Sequence, residues 1–285
     1  MSVAFVRPVP TFRLEAVPRS EAQREAAPDI LRQQMGLVRE VLDAVGIRAI
    51  DLSGWEADDI IATVTDQLVD AGHEVIIVTG DRDSYQLVRD PDVKVLYNKR
   101  GVSDYAFYDE AGIAERTGVT PALYPQYAAL RGDNSDNLPG VPGVGEKTAA
   151  KLINAYGGLD GIFDHVDEQT PKLRANLTEH EERARKNLEL MLLRHDAPID
   201  LDLADLTVTP NGDELQRLFD FLEFRTLASR LDEALSAMGS SVDLGPVEER
   251  AELVAEVTTA NSAAEAAVAI AAAEALDVAA TWVGE

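Results

Sequence analysis

An uninterrupted apolar run in the first third of the chain most constrains the fold. Residues 74–78 read EVIIV, and residues 56–71 before them carry apolar side chains at helical spacing. A polar-free run of strand length is typical of a strand buried on both faces of a parallel sheet. Further strand patterns occupy residues 1–6, 47–52 and 93–97, and another helical pattern occupies residues 30–45. Alternating strands and helices predict an α/β fold with a parallel sheet.

The pattern changes from about residue 111, where helical spacing continues to residue 235 apart from a glycine-rich break at residues 132–145. We therefore predict an α/β part followed by a helical part. The tail has the strand-helix-strand pattern of an incomplete domain, preceded by a linker rich in Gly and Ser. The predicted bounds are 1–110 for the α/β part, 111–238 for the helical part, 239–252 for the linker and 253–285 for the start of a further domain.

The charge balance argues at first against a nucleic-acid binder, since 51 acids face 26 bases and the net charge is −25. Residues 241–285 hold nine acids and one base, however, and so carry −8 of that charge. DNA binding requires only a local basic strip. The chain has no Cys and no apolar run of membrane-spanning length, which favours a protein of the reducing cytoplasm that does not enter the membrane.

Seven carboxylates gather in three short motifs, each beside a strand or turn signal. They are Glu56, Asp58, Asp59, Asp81, Asp83, Asp133 and Asp136. Two unit charges about 4 Å apart repel by roughly 4 kcal/mol at an effective dielectric of ~20, so such a cluster needs cations or separation into water. Carboxylate oxygens suit Mg²⁺ or Mn²⁺, and ion pairs about 3.5–4 Å apart serve phosphodiester hydrolysis.

Each motif also has a purely structural interpretation. Acids such as Asp58 are favoured in a first helical turn by the macrodipole. Asp81 and Asp83 follow the buried strand, where parallel sheets bind ligands, but one of them is explained by an Asx turn. Asp133 and Asp136 would be ordinary in an exposed loop. An EF-hand is excluded because Leu138 stands where its glycine is required.

The glycine-rich segment at residues 138–149 indicates a phosphate-binding turn. A Walker loop requires Lys directly after the last Gly, whereas Glu146 intervenes here. A helix-hairpin-helix at 138–152 that grips a DNA backbone fits better, and a plain helical turn is the alternative. The residues predicted to contact DNA are Gly140, Gly143, Gly145, Lys147, Thr148, Arg82, Lys99, Arg100 and Arg24.

Together these motifs resemble the 5′-nuclease domain of bacterial DNA polymerase I, of actinobacterial type, in the flap endonuclease superfamily. The resemblance covers residues 3–240 and rests on the order and identity of four stretches. They read GWEADDIIATV, VIIVTGDRDSYQLV, VKVLYNKRGVSDY and AALRGDNSDNLPGVPGVGEKTAAKL. It implies a PIN-like α/β nuclease domain followed by the helix-hairpin-helix part, and a tail that begins the next domain of such polymerases, a 3′-5′ exonuclease-like one.

The resemblance also implies a mechanism. Two divalent ions would be held by the seven acids, with Asp58, Asp81 and Asp83 central to hydrolysis of a DNA phosphodiester in replication and repair. The hairpin would hold flap or nicked duplex and bind K⁺ through backbone carbonyls. Lys99 and Arg100 lie in a stretch that the family keeps near its substrate.

Three departures from the family pattern lower the expected activity. The family has an opening segment, with a first strand that ends in a catalytic Asp, for which this sequence has no counterpart. Val6 stands where a second metal-site Asp is usual. Ser20 and Glu21 occupy positions at which the family places Tyr and a basic residue to grip phosphate.

Three other interpretations stay open at this stage. The first is a DNA-binding module without catalysis, because the hairpin is intact while the metal site is incomplete. The second is a ribonuclease of the PIN class, which residues 132–149 argue against because such domains lack the hairpin. The third is a truncated product with no settled function.

Overall fold

The structure is a computed structural model that describes residues 1–7, 9–13, 28–101 and 103–239, with isolated positions at 262, 264 and 267. Contacts between Cα atoms divide the chain into two compact units, residues 1–244 and 245–285. All elements given below belong to the first unit. The predicted linker and further domain lie outside the described residues, apart from residue 239 and the three isolated positions.

The first part of the chain alternates strands and helices, as its sequence pattern predicts. The elements are β1 (Ser2–Phe5), α1 (Asp29–Val45), β2 (Arg48–Asp51), α2 (Ala57–Asp70), β3 (Val75–Thr79), β4 (Val93–Arg100) and β5 (Asp104–Tyr108), with a 3-10 turn at Asp83–Leu87. Gly46 ends α1 in the left-handed conformation, which glycine adopts without a Cβ penalty.

The rest of this unit is mainly helical. Its elements are α3 (Glu110–Thr117), α4 (Tyr124–Arg131), β6 (Gly132–Asp133), β7 (Leu138–Pro139), α5 (Glu146–Tyr156), α6 (Leu159–Asp164), α7 (Pro171–Met191), α8 (Gly212–Phe221) and α9 (Arg225–Ala237), with 3-10 turns at Pro121–Leu123, Val166–Glu168 and Leu203–Leu206. The predicted fold class, an α/β part followed by a helical part, is confirmed. No helix among these described elements is both long and apolar enough to cross a membrane.

The strands of the α/β part form two separate sheets. β1 pairs in parallel with β2, whereas β3 pairs in parallel with β4, and β5 runs antiparallel to β4. Within the described residues β1 and β3 each have one strand partner, so each leaves one edge unpaired. α2 contacts β1, β2 and β3 and therefore joins the two sheets.

The prediction that residues 74–78 are buried on both faces of a sheet is wrong. Ile77 is 4% exposed, but Ile76 is 58% and Val78 is 68% exposed. Successive strand residues point to opposite faces, and only the face that carries Ile77 packs against the core. No element among the described residues covers the other face. The apolar run therefore identifies a strand without reporting how many of its faces are buried.

These neighbouring isoleucines offer a matched test of the strand's orientation. We expect Ile77→Ala to lower the free energy of unfolding by about 2–5 kcal/mol, because it empties a packed core site. Ile76→Ala is expected to cost at most about 1 kcal/mol, since most of its side chain already contacts water. Urea unfolding of both variants measures the difference, and equal losses would contradict the assigned faces.

A cluster of tyrosine rings connects the α/β part to the helical part. The Tyr85 ring centroid lies 5.5 Å from that of Tyr97, 5.7 Å from that of Tyr108 and 5.3 Å from that of Tyr124. Tyr85 and Tyr124 are buried, in one large core that extends from β3 and β4 to α7. The turn after β3 is thereby packed against α4, the helix that leads to Asp133. This packing brings the second and third carboxylate motifs together.

Candidate metal centre and nucleic-acid interface

Carboxylates from all three motifs line one pocket of about 150 Å³. The pocket is lined by Glu56 and Asp58 at the start of α2, by Asp81 and Asp83 after β3, and by Asp136. Val6, which follows β1, also lines it. The pocket thus lies at the carboxyl ends of β1 and β3, the edge at which parallel sheets bind ligands.

The pocket carboxylates disfavour one another's ionisation. Burial, followed by the nearby charges of Asp81 and Glu56, raises the pKa of Asp58 to about 7. Burial also raises the pKa of Asp83 well above its usual value, followed by repulsion from Asp81 and Asp136. These shifts reflect several partly desolvated acids that face one small space.

The acid side chains stand apart around this space. Among the described residues, no three Asp, Glu or His side chains lie close enough together to hold one metal ion. The chemistry of the donors nevertheless fits Mg²⁺ or Mn²⁺, since carboxylate oxygens, which are hard ligands, line one pocket. A bound cation would relieve the repulsion that raises the pKa of Asp58 and Asp83.

The Asp81 side chain also organises the turn on which it lies. Its Oδ1 accepts a hydrogen bond of 2.9 Å from the Asp83 amide, while its own amide donates to Thr79 Oγ1 at 2.9 Å. Asp133 acts similarly, because its Oδ1 accepts a 2.8 Å bond from the Ser135 amide. Asp81 therefore both forms an Asx turn and lines the pocket.

Asp59 is placed differently from the other acids of its motif. It is fully buried and forms a two-pronged ion pair with Arg13, at 2.5 Å from Nη1 and 2.7 Å from Nη2. The amide of Arg194 donates a third hydrogen bond, of 2.9 Å, to Asp59 Oδ1. Asp59 is not among the residues that line the pocket, and the ion pair with Arg13 satisfies its charge.

Arg13 is a site residue that sequence reasoning missed. Its Nη1 lies 3.1 Å from Glu56 Oε2, and its Nε and Nη2 donate to the carbonyl oxygens of Leu190 and Leu192 at 2.7 and 2.8 Å. It joins the segment before residue 14, the start of α2 and the end of α7. An isolated Arg in a polar stretch carries no periodicity or motif, so only the tertiary structure reveals this role.

The three glycines of the hairpin lie in different backbone environments. A Cβ at Gly140 would lie 2.1 Å from the carbonyl oxygen of Arg131, so only glycine fits directly after β7, where the chain passes the junction of α4 and β6. Gly143 turns the chain at a φ of +80°, and Gly145 precedes α5 with open space where a Cβ would stand. The open approach at Gly145 leaves room for a ligand.

Apart from Arg24, the other residues predicted to contact DNA lie in three regions of the described structure. Lys147 is exposed beside the hairpin and Thr148 is partly exposed, whereas Lys99 and Arg100 are exposed at the end of β4. Arg82 lines a second cavity with Asp81 and Asp133. Arg24, Ser20 and Glu21 lie outside the described residues.

Two consecutive family matches cover this arrangement. Residues 1–118 match the N-terminal resolvase-like domain of 5′-3′ exonucleases, and residues 119–214 match their C-terminal SAM fold. The chain belongs to the 5′-3′ exonuclease family. The resemblance seen in the sequence motifs is thereby confirmed.

The relatives of this 5′-3′ exonuclease family member include DNA polymerases I. The chain is 46% identical over 241 residues to DNA polymerase I of Mycobacterium tuberculosis, which covers 82% of this chain and 26% of that protein. It is 37% identical over 235 residues to DNA polymerase I of Bacillus subtilis, with 82% and 27% covered. The chain therefore spans about a quarter of the length of these relatives.

Solved structures share the fold of the exonuclease chain. A T5 5′-exonuclease with bound zinc matches with a TM-score of 0.55 and 24% identity, covering 66% of this chain and 71% of that one. The catalytic core of Rad2 in complex with DNA substrate matches with a TM-score of 0.52 and 20% identity, covering 82% and 78%. These likenesses establish the architecture.

The raised pKa of Asp58 predicts a pH dependence of stability for the metal-free protein. A carboxyl group whose pKa is higher in the folded state than in the unfolded state stabilises less as pH rises through the folded pKa. From the ordinary value of 3.8 to about 7, the loss amounts to at most about 4 kcal/mol. We expect the melting temperature in EDTA to fall between pH 5.5 and pH 8, and Asp58→Asn to flatten this fall. An unchanged slope in Asp58→Asn would contradict the prediction.

Proposed function

We propose that this chain hydrolyses DNA phosphodiesters at 5′ ends or flaps with the help of divalent metal ions. The observation that carries the proposal is the convergence of Glu56, Asp58, Asp81, Asp83 and Asp136 on one pocket at the carboxyl ends of two strands. Membership of the 5′-3′ exonuclease family supports the reaction class.

Two Mg²⁺ or Mn²⁺ ions are the proposed cofactors. The residues that would hold them are Glu56, Asp58, Asp81, Asp83, Asp133 and Asp136. Such ions supply charge stabilisation for phosphodiester oxygens and help to generate hydroxide from water. For Asp59 we propose a positioning role in place of the ligand role expected from the sequence, because Arg13 occupies both of its oxygens.

The protein side chains contribute binding and orientation. The turn hydrogen bonds of Asp81 fix the direction of its carboxylate, and Arg13 does the same for Glu56. We propose that the hairpin around Gly143 and Gly145, together with exposed Lys147, holds a DNA backbone, with K⁺ at its carbonyl groups. Flap or nicked duplex is the proposed substrate, with Lys99, Arg100 and Arg24 as outer contacts. We also propose that the chain acts in the cytoplasm together with a DNA polymerase.

Val6 favours a second candidate function, DNA binding without catalysis. Its side chain is 55% exposed at the pocket, where it supplies no oxygen ligand. The two candidates differ in whether the remaining carboxylates suffice for hydrolysis.

Val6→Asp decides between the two candidates. With Mn²⁺ and a 5′-flap duplex, we expect the wild-type chain to cut slowly and Val6→Asp to cut about tenfold faster, because it adds a hard ligand to the pocket. Val9→Asp is the control, because it adds the same charge at an exposed valine that does not line the pocket. If neither the wild-type chain nor Val6→Asp cuts DNA that it binds, binding without catalysis replaces the nuclease proposal.

A further inference from the structure

A second cavity adjoins the acid pocket and contains two arginines. Its volume is about 570 Å³, and Asp81 lines both spaces. Arg82 enters it from the turn after β3, Arg131 from the end of α4, and Glu146 from the first residue of α5. Three elements therefore place two guanidinium groups in a cavity that shares Asp81 with the acid pocket.

Arg131 is held in a fixed orientation. Its side chain is 14% exposed and lies over the Tyr127 ring, 5.4 Å from the centroid. Its Nε donates to the carbonyl oxygen of Gly132 at 3.0 Å, and its Nη2 lies 3.3 Å from Asp133. The remaining nitrogen, Nη1, approaches Glu146, which also lines the cavity. A guanidinium group preorganised in this way loses little freedom when it binds an anion.

One carboxylate oxygen stands between the two arginines. Glu146 Oε1 lies 3.4 Å from Nη1 of Arg131 and 3.9 Å from Nη1 of Arg82. Both distances exceed those of a well-formed N–H···O bond, and the Glu146 side chain is 67% exposed. Glu146 is therefore a loosely held anion that another anion can displace. A phosphate presents more oxygens to the same two guanidinium groups than a carboxylate does.

We propose that Arg82 and Arg131 bind a backbone phosphate of the DNA strand that is cut, and that Glu146 occupies this site until DNA displaces it. The inference rests on the proposed function, since cations in the acid pocket offset the charges of Asp81 and Asp133. Two guanidinium groups then face Glu146 alone, and its release leaves a site for one phosphate. Glu146 thereby weakens DNA binding in a manner that depends on the arginines.

The test is binding of a fluorescent 5′-flap duplex in Ca²⁺ buffer, over a range of salt concentrations. We expect Glu146→Gln to bind about threefold to tenfold more tightly than the wild-type chain. Arg131→Gln should lower the slope of log K against log salt by about 0.7–0.9, the loss of one phosphate contact. Glu146→Gln should have no effect when Arg131→Gln is already present. The same comparison of single and double variants is made with Arg82→Gln, because Arg82 is more exposed than Arg131 and its replacement disturbs folding less.

Glu181→Gln is the matched control, because Glu181 is a partly exposed carboxylate that pairs with Arg185 at 2.9 Å on α7. It makes the same charge change, and we expect it to alter DNA affinity less than twofold. Equal effects of Glu146→Gln and Glu181→Gln would overturn the phosphate site. So would a Glu146→Gln effect that persists in both arginine variants. If the wild-type chain still cuts flap DNA in Mn²⁺ in either case, the nuclease proposal stands without this site.

Discussion

Replacing Asp81 and Asp83 together with alanine is expected to lower DNA cleavage by about 10³-fold or more and to raise the melting temperature of the metal-free protein. Cleavage falls because two proposed metal ligands are lost, and several kcal/mol of charge stabilisation in the transition state are lost with them. Stability rises because the desolvated Asp83 carboxyl group and the charge of Asp81 that repels it disappear, as the raised pKa of Asp83 indicates. We expect this gain to exceed the loss of the hydrogen bond from the Asp83 amide to Asp81. Cleavage of a 5′-flap duplex in Mn²⁺ and thermal unfolding in EDTA measure the two effects.

A lower cleavage rate together with a higher melting temperature distinguishes loss of metal ligands from loss of structure. A variant that merely unfolds loses activity and melts earlier. Asp160→Ala with Asp167→Ala is the matched control, since both are exposed acids of the helical part that pair with Arg185 and Arg174. We expect this control to retain cleavage within about twofold. Retention of cleavage in the Asp81 and Asp83 double variant would exclude the pocket as the catalytic centre.

The parts of the site that were predictable follow from local rules. Helical spacing predicted α2, and an apolar run predicted β3. The ends of these elements could therefore be predicted from the sequence, whereas their positions in space could not. The carboxyl-end rule for parallel strands favoured a ligand site at Asp81, and the family resemblance implied that Asp81 and Asp58 serve the same metal site. Both side chains line one pocket, and their role as metal ligands stays a prediction.

The parts that were not predictable depend on distant contacts. Arg13 and Asp59 are 46 residues apart in the chain, and no local pattern relates them. The exposure of Ile76 depends on which elements cover the sheet, which the strand's own sequence does not encode. The pairing of Arg131 with Glu146 likewise arises from the packing of α4 against α5. Sequence periodicity reports one element at a time, and these contacts belong to pairs of elements.

Removal of Arg13 should be among the most destabilising single changes in the chain. We expect Arg13→Met to lower the free energy of unfolding by about 3–5 kcal/mol at pH 7, because it leaves the charge of Asp59 buried without its partner. This corresponds to a melting temperature about 10 °C lower. Arg185→Met removes an exposed pair with Asp160 and is expected to cost at most about 1 kcal/mol. Urea unfolding of the two variants gives the comparison.

A second substitution at Asp59 separates its positioning role from metal binding. If Asp59 acts only through Arg13, Arg13→Met combined with Asp59→Leu should be more stable than Arg13→Met alone, because no unpaired charge remains. Asp59→Asn should then alter Mn²⁺ affinity less than Asp83→Asn does, when free Mn²⁺ is measured by electron paramagnetic resonance. If Asp59→Asn instead removes Mn²⁺ binding while leaving unfolding unchanged, Asp59 is a metal ligand and the ion pair with Arg13 must open when the cation binds.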